Sequence, residues 1–279
     1  MASLVLVGGL ATVSGGTADA VAAVSCGMNV GSVTSAGDYA ITYVNPASAS
    51  NGRYDVDDHV FSPGTPRLST RWRTSFGSGG IVVDSLAVVG SSLYQVTYKR
   101  LEGTTNGTTS FARVGSGWDK FTAIEQSNVG SRTARYGLRN DGVLLRWTNG
   151  WKTVSTYPGF AAVKTLGLLS QTATYDTFLA TTNGGALYTI HIPASGAAVV
   201  KKVRTSTWQG FEKLVLEKCG NTGALLTAID KDSGVGYVYA VGHANGAATV
   251  IKGIGTAKTL FKDPVQLRDT EANVYLNGE

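Results

Sequence analysis

Apolar and polar residues alternate along this chain in short runs that recur in a fixed order. Four such runs follow each of three related segments, "GSGWDKF" at 115–121, "TYPGF" at 156–160 and "TWQGF" at 207–211. Strict alternation over four to eight residues predicts half-buried β-strands. Between the second and third runs stand turn-forming sequences rich in Asn, Asp and Gly, which predict antiparallel hairpins at 140–142, 183–185 and 232–234.

The runs define a repeating unit. Equivalent residues of the third run lie 43 to 51 residues apart, at Leu93, Leu144, Leu187 and Val238. A unit of about 47 residues with four short strands is typical of a β-propeller blade. Weaker copies of the first segment lie near Phe76 and Lys258. We predict an all-β fold, a β-propeller of five blades with four antiparallel strands each, and six blades as the alternative.

The two ends of the chain are expected to share one blade. The last residues, "ANVYLNGE" at 272–279, are predicted to form one extra strand. Either this strand or the first strand from Tyr39 would complete a blade built from both ends. Such closure removes the exposed sheet edges that would otherwise favour aggregation.

Composition and charge narrow the function classes. The 279 residues include 36 glycines, and the net charge is only +5. The densest basic patch, at 201–204, has the spacing of the solvent face of a strand. Nucleic-acid binding would need a clustered basic stripe with interleaved aromatic residues. We therefore expect no nucleic-acid partner.

Residues 1–20 are predicted to be a secretory signal peptide. An apolar run from Leu4 to Val13 is too short to span a bilayer, and it precedes the A-x-A cleavage pattern at 18–20. No Lys or Arg precedes the run, and an ordered N-terminal strand is the alternative. Residues 21–279 would then form a single secreted, extracellular propeller domain without membrane insertion.

Two cysteines, Cys26 and Cys219, fall in the predicted mature part. An even number of cysteines in an exported protein predicts a disulfide. A bond between such distant positions fits a chain that runs in a ring and brings its ends together.

The best-preserved segment resembles a known family. The run Gly-Ser-Gly-Trp-Asp-Lys-Phe at 115–121, followed by a strand and an N-D-G-x-L-x-R hairpin at 140–146, resembles the tachylectin-type propeller lectins. That family repeats a G-G-W-x-x-F-type segment and an L-Y-x-V-type strand in every blade. The resemblance implies five blades and shallow pockets for N-acetylated sugars at the junctions between blades. The copies at Tyr157 and Trp208 lack the Asp-Lys pair that follows Trp118.

The predicted sugar-binding residues combine aromatic rings with polar turns. An aromatic face stacks on the C–H side of a sugar ring, and Asn, Asp and backbone groups bind hydroxyls and amides. The candidates are Trp118, Asp119, Asn140, Asp141, Tyr157, Asn183 and Trp208. In the alternative interpretation, the recurring aromatic residues are packing wedges between sheets and Asp119 caps its turn.

No residue pattern indicates catalysis, a metal or a cofactor. The acidic run "DVDDH" at 55–59 has carboxylates that could bind Ca²⁺, but a solvated strand or loop accounts for it better. The sequence contains three histidines, His59, His191 and His243, but no G-x-S-x-G motif that would supply a nucleophilic serine. We therefore predict a protein that is not an enzyme.

The sequence predicts a secreted, non-catalytic lectin that recognises glycans on a cell surface. It would act either alone or as the target-recognition subunit of a larger secreted toxin or adhesin assembly, with other secreted protein subunits as partners. The alternative is a structural or protein-interaction propeller that binds no sugar.

Overall fold

The fold was analysed in a computed structural model of the chain. The structure describes residues 26–46, 52–57, 59–62, 64 and 66–279, so the predicted signal peptide at 1–20 lies outside it. In this part of the chain the elements are β-strands and a 3₁₀ turn at Trp118–Lys120, which confirms the prediction of an all-β fold. No helix among these residues has the length and apolar character needed to cross a membrane.

The strands are numbered in chain order and their bounds follow from N- to C-terminus: β1 (Met28–Val33), β2 (Tyr39–Val44), β3 (Gly52–Asp57), β4 (Pro66–Ser69), β5 (Trp72–Gly77), β6 (Gly80–Val89), β7 (Ser92–Leu101), β8 (Thr108–Ser116), β9 (Phe121–Val129), β10 (Arg132–Arg139), β11 (Leu144–Thr148), β12 (Thr153–Tyr157), β13 (Val163–Gln171), β14 (Tyr175–Thr182), β15 (Leu187–Pro193), β16 (Val199–Arg204), β17 (Lys213–Cys219), β18 (Gly223–Ile229), β19 (Gly236–Val241), β20 (Ile251–Thr256) and β21 (Val265–Glu271).

These strands form antiparallel groups of four, as the repeat predicts. Sheet I contains β5 to β8, with β4 added along β6; sheet II contains β9 to β12, sheet III β13 to β16, and sheet IV β17 to β20. Sheet V has the order β21-β1-β2-β3, and β21 also pairs in parallel with β5. Four-stranded antiparallel groups arise because each repeat contains tight turns that allow only neighbouring strands to pair.

Sheet V contains strands from both ends of the described chain. The prediction that residues 272–279 form its closing strand was wrong. The strand that pairs with β1 is Val265–Glu271, with Gly31 opposite Leu267. Residues 272–279 form no strand beyond an isolated bridge between Ser170 and Asn277. The terminal segment instead buries Leu276 against the apolar side chains between sheets II and III. The reason is that residues 265–270 are buried on both faces of a central strand, whereas Leu276 packs into the apolar cluster between sheets II and III.

Neighbouring sheets meet along their inner strands. Strand β4 contacts β9, β9 contacts β13, β13 contacts β17, β17 contacts β21, and β21 contacts β4. The apolar core of the described residues is correspondingly divided into clusters that lie between neighbouring sheets: I and II, II and III, III and IV, IV and V, and V and I. Each sheet therefore buries both faces through its two neighbours.

One backbone hydrogen bond recurs at every junction between neighbouring sheets in the part of the chain that the structure describes. An aromatic residue that follows the outer strand of each sheet donates its N–H to the turn between the second and third strands of that sheet: Phe61 to Gly37, Trp118 to Ser91, Phe160 to Gly142, Trp208 to Gly185 and Phe261 to Gly234. The sequence repeats an aromatic residue at this position because each of these rings fills one of the apolar clusters between neighbouring sheets. Phe76, the copy proposed from the sequence, is wrong for this role, because it lies on β5 and is 69% exposed.

The predicted disulfide is present. Cys26 and Cys219 are bonded, with their Cα atoms 5.8 Å apart across a sequence separation of 193 residues. Cys219 ends β17 of sheet IV, and Cys26 immediately precedes the part of the chain that forms β1 of sheet V. The bond therefore links sheet IV to the neighbouring sheet V.

Candidate functional site

Trp118 lies in the core between sheets I and II. Its side chain is 7% exposed, and its indole stacks on Phe121 with 4.3 Å between ring centroids and an interplanar angle of 30°. Trp147 lies 5.3 Å away on another side, and Leu86 and Leu93 of sheet I belong to the same cluster. In this environment other side chains pack against the indole, as expected if Trp118 is a packing wedge between sheets.

Tyr157 and Trp208 occupy similar positions at the next junctions. They are 7% and 6% exposed. Tyr157 belongs to the cluster between sheets II and III, whereas Trp208 belongs to the cluster between sheets III and IV and lies 5.1 Å from the ring of Tyr239. The structure therefore keeps the three predicted aromatic residues in separate clusters. Sugar stacking by any of these rings stays a prediction.

The polar candidates are exposed and partly grouped. The N–H of Asn140 donates to the carbonyl of Lys120 at 2.8 Å, which brings the turn at 140–142 beside the 3₁₀ turn that contains Asp119. Asp141 accepts a hydrogen bond from the N–H of Val143 at 3.2 Å and forms an ion pair with the neighbouring Arg139. Asn183 occupies the corresponding turn of sheet III, where its N–H donates to Ala162, so it lies apart from the other three.

A polar pocket at the junction of sheets I and II was not predicted from the sequence. It has a volume of about 300 Å³. We call it the junction pocket, and it is lined by polar side chains of both sheets: Arg71, Arg73, Asp84, Ser85, Gln95, Gln126, Asn128, Thr133 and Arg135. It adjoins the cluster around Trp118, because Arg135 on β10 stands opposite Trp147 on β11.

Hydrogen bonds hold many of these groups in place. Asn128 accepts from the guanidinium of Arg71 at 2.8 Å and from the amide of Gln126 at 3.0 Å, and it donates to the hydroxyl of Thr133 at 2.8 Å. On the facing sheet, the guanidinium of Arg73 lies 3.6 Å from the carboxylate of Asp84. The lining is thus ordered before any ligand arrives, which lowers the entropic cost of binding.

Several buried donors of the junction pocket have no hydrogen-bond partner in the described part of the chain. They are Nη1 of Arg71, Oγ of Ser85, and Nε and Nη1 of Arg135. Arg71 is only 5% exposed, and the guanidinium of Arg135 lies 4.6 Å from the ring centroid of Trp151. A buried donor without a partner is costly, and such groups concentrate where a ligand, ion or water completes them.

Burial and neighbouring positive charge disfavour the charged forms of the arginines in the junction pocket. Burial, together with the charges of Arg268 and Arg73, lowers the pKa of Arg71 to about 9, against opposing effects of Glu125 and Glu217. Burial also lowers the pKa of Arg135. A negative group in the pocket would stabilise both guanidinium ions.

The sequence did carry a weak signal for this pocket. Arg71 and Arg73, Gln126 and Asn128, and Thr133 and Arg135 each occupy alternate positions. Alternate positions point to one face of a strand, so each pair marks a polar face. Nothing in the sequence shows that these faces meet.

The acidic run at 55–59 is not arranged as a metal site among the residues that the structure describes. Asp57 accepts hydrogen bonds from the hydroxyl of Tyr98 at 2.7 Å and from the N–H of Gly107 at 2.6 Å, while Asp55 lies 3.6 Å from Arg53. Asp58 lies outside the described residues. In the described ranges, no group of three or more His, Cys, Asp or Glu side chains could hold a metal ion.

Similarity to known proteins is found among solved structures. No protein-family model matches the chain, and no curated protein matches it. Among the solved structures that match is the BP39L lectin from Burkholderia pseudomallei, with 19% sequence identity and a TM-score of 0.42. The match covers 82% of this chain and 66% of that one, so this chain spans just under two thirds of the length of that lectin chain. The tachylectin-type resemblance stays a prediction.

Proposed function

We propose that this chain is a secreted, non-catalytic β-propeller of five blades that binds glycans. The five-blade proposal is supported by the closed series of contacts among β4, β9, β13, β17 and β21. Export is supported by the disulfide between Cys26 and Cys219, since stable disulfides belong to oxidising compartments. Cleavage after residue 20 and recovery of the chain from the culture medium would test export.

The observation that supports glycan binding best is the junction pocket. Carbohydrate recognition requires many hydrogen-bonding groups in fixed positions, because a sugar ring presents hydroxyls in several directions. Gln95, Gln126, Asn128 and Thr133 supply amide and hydroxyl groups to one small cavity, and Ser85 adds a hydroxyl without a partner. The proposal places the site at the same junction as Trp118, but in the pocket beside that ring.

A glycan array with the purified chain tests this function, with N-acetylhexosamines included because the resemblance implies them. We expect binding in the micromolar to millimolar range at a single site, with stronger retention on dense surfaces if several sites act together. No binding to any glycan at millimolar concentration would contradict the proposal. That result would leave the protein-interaction propeller as the better function.

Two variants decide which residues form the site. Asn128→Ala removes the amide that joins Arg71, Gln126 and Thr133, and it should weaken glycan binding at least about tenfold. Asn183→Ala tests the turn residues predicted from the sequence, because Asn183 lies in an exposed turn of another sheet. If Asn183→Ala weakened binding and Asn128→Ala did not, the turn residues predicted from the sequence would be the binding site and the junction pocket would not.

A further inference from the structure

We propose that the junction pocket selects a sugar that carries a negative group, a carboxylate or a sulfate ester, and that Arg71, Arg73 and Arg135 bind this group. The proposal rests on the proposed glycan-binding function and adds the class of sugar. The ligand is a single acidic monosaccharide unit at the end of a glycan or within it.

The charges of the junction pocket are unbalanced. Three guanidinium groups face one carboxylate, that of Asp84, which is 3.6 Å from Arg73. The hydrogen bonds of Arg71 go to neutral acceptors, the carbonyl of Gln126 at 3.4 Å and the amide oxygen of Asn128 at 2.8 Å. Buried positive charges are normally compensated by a counter-charge. Among the side chains that line the junction pocket, Arg71 and Arg135 therefore have no carboxylate partner of their own.

Two other arginines between sheets of the described chain face a carboxylate, whereas Arg146, like Arg71, has only neutral acceptors. The guanidinium of Arg132 lies 2.5 Å from the carboxylate of Asp176, and that of Arg268 lies 3.2 Å from the carboxylate of Glu217. Arg146 donates to the carbonyls of Pro193 and Ala194. Within the described residues, Nε of Arg146 and Nη1 of Arg268 lack acceptors as well. The junction pocket differs in that it brings several such donors, Nη1 of Arg71 and both Nε and Nη1 of Arg135, to one cavity.

The free donors suit a planar or tetrahedral oxyanion. Guanidinium N–H groups form strong, charge-assisted hydrogen bonds with the oxygens of a carboxylate or sulfate. Nε and Nη1 of Arg135, which point in different directions, and Nη1 of Arg71 have no acceptor within the described residues. The neutral side chains of Gln95 and Thr133 remain for ring hydroxyls. A volume of about 300 Å³ is large enough for one monosaccharide unit.

Isothermal titration with three matched probes tests this inference. The probes are a glucuronate-containing disaccharide, the same disaccharide with the carboxylate reduced to a hydroxymethyl group, and glucose 6-sulfate. We expect the glucuronate disaccharide to bind at least about tenfold more tightly than its reduced form, because hydrogen bonds to charged groups are stronger. Tight binding of glucose 6-sulfate would identify the sulfate ester as the preferred group, and weak binding would identify the carboxylate.

Equal affinity for the charged and reduced disaccharides would overturn the acidic-sugar proposal and leave glycan binding intact. Binding of sodium sulfate as tight as that of the sugars would also overturn it, because the pocket would then be a simple anion site. No binding of any sugar, here and on the array, would overturn the proposed function itself.

Variants separate charge recognition from a structural effect. Arg135→Gln should weaken binding of the acidic disaccharide about tenfold or more and leave the reduced form almost unaffected. Arg113→Gln, on exposed β8 of sheet I, is the matched control and should change the affinity for neither disaccharide.

Asp84→Asn removes the only carboxylate among the residues that line the junction pocket and should raise affinity for the acidic disaccharide several-fold. Loss of a merely structural contact would not produce this gain, so an unchanged or lower affinity in Asp84→Asn would contradict the proposal even if Arg135→Gln failed to fold.

Discussion

The indole of Trp118 stacks on the ring of Phe121, with 4.3 Å between their centroids, at the junction where sheet II meets sheet I. The N–H of Trp118 also donates to the carbonyl of Ser91 at 3.0 Å. The same residue therefore joins the two sheets through its side chain and through its backbone. This double contact predicts that the ring matters first for stability.

Trp118→Ala should lower the free energy of unfolding by about 3 to 5 kcal/mol, because the substitution leaves a cavity among apolar side chains. Urea unfolding followed by fluorescence or circular dichroism measures the change. Asp119→Ala is the control, since Asp119 is the exposed neighbour and its loss should cost at most about 0.5 kcal/mol. Unchanged stability of Trp118→Ala with loss of glycan binding would instead identify the ring as a stacking platform.

The stability of the fold should depend on the groups that hydrogen-bond to the buried carboxylate of Asp176. It accepts hydrogen bonds from Arg132 at 2.5 Å and from the hydroxyl of Tyr136 at 2.6 Å, and its side chain is fully buried. Arg132→Met would leave an uncompensated charge between sheets II and III, with an expected cost of about 3 to 5 kcal/mol in thermal or urea unfolding.

The ion pair of Arg139 with Asp141 provides the surface comparison for Arg132. Both partners are substantially exposed, so Arg139→Met should cost at most about 1 kcal/mol. The double variant Arg132→Met with Asp176→Leu should be more stable than Arg132→Met alone, because it removes the stranded carboxylate. A double variant that is less stable than the single one would refute this account.

Stability should depend on pH through Asp269. This residue of β21 is buried, its Oδ2 has no hydrogen-bond partner within the described chain, and burial raises its pKa to about 7. In the unfolded chain the pKa is about 4, so between about pH 4 and pH 7 the folded state binds the proton more tightly. The contribution of Asp269 to stability is therefore fully present below about pH 4 and is lost as the pH rises to about 7.

Asp269→Asn removes this dependence. We expect the variant to exceed the original protein in free energy of unfolding by on the order of 2 to 4 kcal/mol at pH 8, and by little at pH 4. Urea titrations at both pH values measure the difference. A difference of the same size at pH 4 and pH 8 would show that ionisation of Asp269 is not its cause.

In sheet II the recurring hydrogen bond joins Phe160 to Gly142, and replacement of this glycine should destabilise the fold. Gly142 has a φ of +80°, and a Cβ built on it would lie 2.1 Å from the backbone nitrogen of Ala161. Gly150 has a φ of +62° but open space around it. Gly142→Ala should therefore cost about 2 kcal/mol more than Gly150→Ala, which carries only the penalty for a left-handed backbone. Equal melting temperatures of the two variants would contradict this explanation of the repeat.

Local pattern and period were enough to predict much of the fold. Alternation predicted the strands, the turns at 140–142 and 183–185 predicted hairpins, and the repeat of about 47 residues predicted groups of four strands. The pairing of Cys26 with Cys219 followed because the predicted mature part contains no other cysteine. These features depend only on residues close together in the chain, on the repeat period or on the number of cysteines. They can therefore be predicted from a single sequence.

Tertiary structure alone decided which repeated residues are equivalent and what they face. It selected Phe61 over Phe76 and Val265–Glu271 over 272–279, because those choices depend on which apolar cluster accepts each segment. It also enclosed Trp118 in the core. The junction pocket arises where Arg71 and Arg73, just before and within β5, meet Gln126 and Asn128 of β9 across two sheets. These residues are far apart in the chain, and no local period records that contact. The sequence by itself determined the sheets, and the packing of one sheet against the next decided where a ligand could bind.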